Sequence, residues 1–558
     1  MSRKTGLKEI AYVAGKAGIP ARYVEPWGRY KAKIGLDFLK TAKKKRSAKY
    51  VIVSALTPTP RGEGKTVTSI GLSMALNRIG KKSIACLRQP SMGPVFGVKG
   101  GGTGGGKSQI LPREDINLHF TGDIHAVGAS HNLLAAFLDN AIFRNHYPHI
   151  DPERVTWRRV LDMNDRPLRN IKIGLGAAKD GPSRTSGFDI TVASEVMAIL
   201  ALSKDIRDMR ARLGRVVIAS SKSGRPVTAA DLKIAGAMAA LLKDAIKPNL
   251  VQTIENTPCL VHTGPFANIA HGNSSIIADM MALRISDYVI TECGFGADLG
   301  AEKFFDIKCR TSGIKPDAAV IVCSVRALKM HSGRFKVRGR SMDKSLLRED
   351  LPAVEAGCVN LEKQIQNISA FGVPVVVAVN RFASDTAREI AIVRKRVILG
   401  GADGVAVSEA WRRGSAGALD LAKSLVEVTR RRAADFGFLY PLDMPIKGKI
   451  ERIAKRIYGA GRVTYSPVAE KKIQIYEKRG YGKLPVCIAK THLSLGPDAK
   501  VKGAPAGFTL PVRDMHAAVG AGFILPICGS IRTMPGLPAE PIGVKIRVDD
   551  EGSIKGLM

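Results

Sequence analysis

An α/β protein built on a doubly wound, mainly parallel sheet is what this sequence predicts, and three observations predict it. Apolar, β-branched runs bounded by turn residues recur along the chain, with helical stretches between them. Distinctive polar signatures fall just after those runs, where a parallel sheet presents its carboxyl ends to ligands. The first run leads through a Gly-containing loop, ending Gly64-Lys65-Thr66, into a helical pattern. That strand–loop–helix order is the phosphate-binding P-loop.

The elements follow in chain order. The N-terminus lacks a long apolar core and a small-residue cleavage site, and it carries Glu9, so it reads as a first amphipathic helix and not a signal peptide. The run 50–56 is the first strand of the sheet. The loop after it consists of Thr57, Pro58, Thr59, Pro60, Arg61, Gly62, Glu63, Gly64, Lys65 and Thr66. In such a loop Lys65 reaches the β- and γ-phosphates and the Thr66 hydroxyl ligates Mg²⁺. The usual signature has Gly six residues before the Lys, and Thr59 stands there instead. Ile70, Leu72, Met74, Leu76 and Ile79 mark the helix that follows.

A second strand at 83–87 ends in Arg88-Gln89-Pro90-Ser91 and is expected beside the first. Between Lys99 and Lys107 lie six glycines, read as a close backbone approach to a ligand or a neighbouring strand. Further strands are expected at 259–263, 287–292, 318–323, 373–379 and 404–407. From 128 to 245 the rhythm changes to a helix at 130–142, short strands, and one helix from Ala193 to about Arg212. This reads as a small α+β insertion. The nucleotide-binding core then comprises 1–127 and 246–435, and a Gly- and Pro-rich C-terminal α+β domain comprises 436–558.

Composition excludes several classes. No apolar run reaches the roughly 18–20 residues of a membrane span. Eight scattered cysteines without a Cys-x-x-Cys pair suggest buried free thiols in a reducing compartment. A net charge of +37 points to a polyanionic partner or to adaptation of the whole surface. The basic clusters are dispersed, as at 43–46, 394–396 and 430–432, and no aromatic residues interleave with them. A base-stacking platform needs that interleaving, so no specific nucleic-acid partner is expected. Asn380-Arg-Phe-Ala-Ser-Asp385 has an Asn and an Asp as in the guanine-reading Asn-Lys-x-Asp motif, but the Asp comes five residues after the Asn instead of three.

Several stretches together resemble formate–tetrahydrofolate ligases. They are 57–66, Arg88-Gln-Pro-Ser-Met-Gly-Pro-Val-Phe-Gly97, Glu114-Asp-Ile-Asn-Leu-His-Phe-Thr-Gly-Asp123, Gly264-Pro-Phe-Ala-Asn-Ile-Ala-His-Gly272, 294–310, Val379-Asn-Arg-Phe382, 484–490 and Thr533-Met-Pro-Gly-Leu-Pro538. The resemblance implies that ATP, with Mg²⁺, drives the joining of formate to tetrahydrofolate through formyl phosphate, releasing ADP and phosphate. It also implies a cytoplasmic homotetramer activated by K⁺ or NH₄⁺. Lys65 and Arg88 are the expected catalytic residues, with Arg88 gripping formate or formyl phosphate through its planar fork. Phe382 and Trp411 match the positions that sandwich the pterin, and Asp123 matches a monovalent-cation ligand. His119, His125, His262 and His271 fall in family motifs. The chain departs from the family pattern at Gln89, where a glutamate associated with the cation is usual, and at Arg61, where alanine is usual.

Overall fold

The seven apolar runs become seven adjacent parallel strands. The computed structural model describes residues 6–42, 47–60, 62–98, 101–335 and 344–557. The large sheet contains β1 (Val24–Pro26), β2 (Ala32–Ile34), β3 (Lys49–Ala55), β4 (Ser83–Leu87), β5 (Gly104–Gly105) and β6 (Ser108–Leu111). It continues with β7 (Asn249–Thr253), β8 (Pro258–Val261), β9 (Tyr288–Glu292), β10 (Ala318–Cys323), β11 (Val375–Asn380) and β12 (Gly404–Ser408). Their order is β1-β2-β7-β8-β4-β9-β3-β10-β11-β12, with β6 on β7 and β5 on β6. From β8 to β12 every pairing is parallel, whereas β7 runs antiparallel to β8, β2 and β6.

Helices cover both faces, and this explains the continuous apolar runs. A strand buried on two sides has no solvent face to alternate toward. In β3 every residue from Tyr50 to Ala55 is buried. Fully burying a side chain such as Val51 or Ile52 contributes about 1.5–3 kcal/mol. The helices used below are α1 (Ile10–Ala17), α2 (Lys65–Arg78), α3 (Asp123–Phe143), α4 (Leu351–Ser369), α5 (Ala387–Leu399) and α6 (Leu419–Arg431). In α4 the Asp350 side chain accepts from Ala353 N–H, and Pro352 sits in the first turn. α5 opens with a reciprocal capping box between Thr386 and Glu389. In α2 all residues from Thr68 to Leu76 are buried, because it lies between the sheet and the 414–418 turn.

The structure corrects three sequence expectations. β4 does not lie beside β3, since β9 pairs with both and separates them. Periodicity gives the strands but not their order. The single helix expected from Ala193 to Arg212 is two helices, Glu195–Leu202 and Ile206–Gly214. Asp205 starts the second by accepting from Asp208 N–H, a cap that interrupts the run. The helix expected at 130–142 begins earlier, at Asp123.

Residues 150–228 form short strands in three small sheets. After Arg431 come helices Ile446–Ile453 and Pro467–Lys478 and paired strands such as Asp514–Ala518 with Phe523–Ile527. One hydrophobic cluster runs from Ile10 through the sheet and this C-terminal region to Cys528. All eight cysteines are buried and free. Among the described residues no helix is long and apolar enough to cross a membrane.

Candidate active site

At the carboxyl end of β3 the chain turns through 57–64 into α2. Gly64 precedes the helix in the left-handed region, at φ +83°. A Cβ there would sit 2.5 Å from Asn380 Nδ2, and that amide donates to the Glu63 carbonyl at 3.1 Å. Glycine meets both demands. No side chain caps α2, so its first N–H groups and partial positive charge remain available at the carboxyl edge.

The loop is braced from within. Glu63 is 2% exposed, and its Oε1 accepts from the Thr59 N–H at 2.9 Å and the Thr59 hydroxyl at 2.8 Å. Burial pushes its carboxyl above the usual value, while the Thr59 bonds oppose that shift. Thr57 is fully buried, and protein groups hold its N–H, hydroxyl and carbonyl. It anchors the loop. Pro60 and Gly62 are exposed, and Pro58, Thr59, Gly64, Lys65 and Thr66 are partly so. Arg61 lies outside the described residues.

Two cations and a carboxylate meet at this edge. The Thr66 hydroxyl donates to Glu292 Oε2 at 2.9 Å, and Glu292 is the last residue of β9. Burial holds the Lys65 ammonium below its ordinary pKa, and Arg88 pushes the same way against Cys293, Glu292 and Glu63. Arg88 follows β4, and its Nη1 donates to the Pro265 carbonyl at 3.2 Å. Its guanidinium passes over Gly294, where a Cβ would lie 3.1 Å from Nη1.

Around Arg88 the chain buries polar atoms that find no partner among the described residues. They are Arg88 Nε, Gln89 Oε1, Thr263 Oγ1, Asn268 Oδ1, Asn273 Oδ1 and both ring nitrogens of His271. Each such atom costs about 1–3 kcal/mol. Gathered where Gln89 N–H bonds the Thr263 carbonyl at 2.7 Å, they suit a small polar ligand. Burial and then Lys308, Arg88 and Lys303 hold His271 well below the usual histidine pKa. His262 differs: its ring nitrogens lie 2.6 Å from Ser275 Oγ and 2.7 Å from the Ala245 carbonyl, and burial lowers its pKa to about 3. His119 and His125 are both exposed.

Phe382 and Trp411 follow the neighbouring strands β11 and β12, which Arg381 N–H ties together by donating to the Ser408 carbonyl at 3.0 Å. The Arg326 guanidinium lies 3.5 Å from the Phe382 ring centroid. Trp411 is 59% exposed. The Gly-rich stretch explains itself here. At Gly106 (φ +59°) a Cβ would meet the Trp411 carbonyl oxygen at 2.1 Å, and Lys107 N–H donates to that oxygen at 2.7 Å. A cavity of about 400 Å³ opens alongside, lined by Arg381, Ile390, Arg394, Val407, Glu409 and Arg413 among others.

Asp123 begins α3, away from the phosphate loop's own contacts. Its Oδ1 lies 2.7 Å from Lys33 Nζ, and its Oδ2 accepts from Asn249 Nδ2 at 2.7 Å. Burial raises its pKa while Lys33 lowers it.

Sequence reasoning did not assign Glu292, Asn380, Asn360 or Gln364 to the site. A signal existed for Glu292, an acid closing an otherwise apolar strand. Asn380 likewise ends a strand run. Nothing in the spacing of Asn360 and Gln364 on α4 distinguishes them from core polar residues.

Comparison with known proteins adds the family. A family model described as formate–tetrahydrofolate ligase matches residues 1–558. A formate–tetrahydrofolate ligase of Saccharopolyspora erythraea is 54% identical over 558 residues, covering 100% of this chain and 98% of the relative. One from Desulforamulus reducens is 52% identical over 549 residues, covering 98% and 97%. One from Chloroflexus aurantiacus is 53% identical over 559 residues, covering 99% and 98%. With likeness running the full length of the chain, this protein is a ligase and belongs to the formate–tetrahydrofolate ligase family.

Proposed function

We propose that the protein joins formate to N10 of tetrahydrofolate at the expense of ATP, through formyl phosphate, releasing ADP and phosphate. The observation that carries this reading is the meeting of Lys65, the Thr66–Glu292 pair and Arg88 at one sheet edge. Formate is a poor acyl donor, because its leaving group would be oxide. A formate oxygen attacks the γ-phosphorus, ADP departs, and the new acyl phosphate, a mixed anhydride, supplies the leaving group. N10 then attacks the formyl carbon, the carbon–oxygen bond to phosphate breaks, and the departing phosphate takes the charge and the proton lost from N10. Such transfers need positioning and charge neutralisation more than a protein nucleophile.

Each residue has a part in that scheme. The N–H groups at the start of α2 and the Lys65 ammonium hold the β- and γ-phosphates. The Arg88 fork grips the formate carboxylate and then the formyl phosphate. A hydroxyl and a carboxylate 2.9 Å apart, Thr66 and Glu292, are hard oxygen ligands that fit Mg²⁺. The ion would neutralise developing charge on the phosphates. Phe382 and Trp411 hold the pterin of tetrahydrofolate, with or without a polyglutamate tail.

A monovalent cation fits less well. Both Asp123 oxygens are engaged by Lys33 and Asn249, and Gln89 contributes no charge, so no step is assigned to K⁺ or NH₄⁺. We further propose a nucleotide-binding core of 1–127 and 246–435, an insertion of 128–245 and a C-terminal domain of 436–558. A cytoplasmic homotetramer follows by analogy with the family.

The test is substrate omission. ADP release should require both formate and tetrahydrofolate for sustained turnover. Nucleotide hydrolysis at an equal rate without them would overturn the ligase mechanism and favour a partner-switching nucleotidase.

A further inference from the structure

The residue that opens the phosphate loop is gripped by side chains far along the chain. Thr57 N–H donates to Asn360 Oδ1 at 3.0 Å. Its hydroxyl accepts from Asn360 Nδ2 at 2.9 Å and from Gln364 Nε2 at 3.1 Å. Its carbonyl lies 2.8 Å from His331 Nε2. The same two α4 side chains reach into the C-terminal region. Asn360 Nδ2 also donates to the Gly503 carbonyl at 2.7 Å. Gln364 Nε2 donates to Asp298 Oδ1 at 3.0 Å, and Asp298 Oδ2 pairs with Lys490 Nζ at 3.0 Å. Thr57, Asn360, Gln364, Asp298 and Lys490 are all at most 1% exposed.

The same C-terminal segment touches the Arg88 side. His492 stacks on Phe295 with ring centroids 4.2 Å apart. Phe295 follows Gly294, over which the Arg88 guanidinium passes. Residues 490–503 therefore contact the root of the phosphate loop through Asn360 and Gln364, and the residue beside Arg88 through Phe295. A fully buried polar network has few ways to rearrange without breaking several bonds together. A shift at Thr57 is thus transmitted to Gly503 and Lys490, and the reverse.

We infer that Asn360 is a positioning residue that couples occupancy of the phosphate loop to the ordering of residues 490–503. The inference rests on the reading of 57–66 as the nucleotide site. Asn360 is the joint because a single amide bonds Thr57 twice and Gly503 once.

The test uses the full-length protein with Mg·ADP as the probe. Amide hydrogen exchange across 490–503 should slow on Mg·ADP binding in the wild-type chain. In Asn360→Ser, whose hydroxyl is too short to bridge, that slowing should be lost while Mg·ADP still binds. The KM for ATP should rise about tenfold, and those for formate and tetrahydrofolate should stay within about twofold. A merely structural role would move all three constants together, and that result would overturn the inference. Should Asn360→Ser not fold, the wild-type exchange measurement decides. Binding of Mg·ADP with unchanged exchange at 490–503 refutes the coupling and leaves the nucleotide site standing. Failure of the wild-type chain to bind Mg·ADP overturns both.

Discussion

Replacing Gly64 by alanine tests the phosphate loop where its geometry is most demanding. The residue sits at φ +83°, and an L-residue in that region costs about 1–2 kcal/mol. The new Cβ would lie 2.5 Å from Asn380 Nδ2, so the amide must leave the Glu63 carbonyl it now holds at 3.1 Å. Losing that hydrogen bond costs about 1 kcal/mol. The sum is at least about 2 kcal/mol, or a ~30-fold weakening of nucleotide binding if the strain falls on the binding conformation. Titration with Mg·ADP, followed by steady-state kinetics in ATP, measures it directly. Asn380→Ala alone should cost about 1 kcal/mol, and the double variant should bind better than the two single losses add up to. Affinity of Gly64→Ala within about threefold of wild type would refute the reasoning.

Arg88→Ser should abolish formyl transfer while Mg·ADP still binds, and near-normal turnover would remove Arg88 from the chemistry. Glu292→Gln should raise the Mg²⁺ concentration needed for half-maximal rate about tenfold, and an unchanged requirement would leave Thr66 without a partner at the ion. Trp411→Ala should raise the KM for tetrahydrofolate about tenfold, the order of one lost aromatic stack, and leave that for ATP unchanged. The fourth concerns pH. His331 is buried, which lowers its pKa from 6.5 to about 4. Below pH 6.5 the unfolded chain takes up a proton that the folded chain refuses, so stability is lost as pH falls from 6.5 toward 4. The loss at pH 5 is about 2 kcal/mol. His331→Gln does not titrate, so its urea midpoint should fall less between pH 7.5 and 5. Equal falls would show that His331 does not contribute.

Much of this architecture could be read from the chain because burial on both faces leaves a mark. β3, β4, β9, β10 and β11 are nearly unbroken apolar runs, and no surface helix produces that pattern. Strand order leaves no such mark. The position of β9 between β3 and β4 depends on which crossover passes where, and no local residue pattern records it. The site divides in the same way. Arg88 follows a strand end, and Lys65 and Thr66 open the helix after another, so the places of all three can be read from the pattern of strands and helices. Thr57 reads as part of a phosphate-binding loop, yet its contacts come from Asn360 and Gln364, some 300 residues further along the chain. The helix break at Ser203 was missed because Ser203-Lys-Asp205 continues a helical periodicity that Asp205 ends by capping Asp208.

The strand lying between β3 and β4 also works as a ruler. Neighbouring strands in a sheet stand about 4.8 Å apart, so a single intervening strand separates two others by ~9.6 Å. Had β3 and β4 been neighbours, the loop that carries Lys65 and the arginine that follows β4 would start half as far apart. With β9 between them, Glu292 ends the strand that separates the two, and on the proposed reading the doubled spacing gives a phosphoryl group and a carboxylate room to lie end to end. A substitution at either cation changes a charge, whereas a change of sheet order would change the distance over which two molecules can meet.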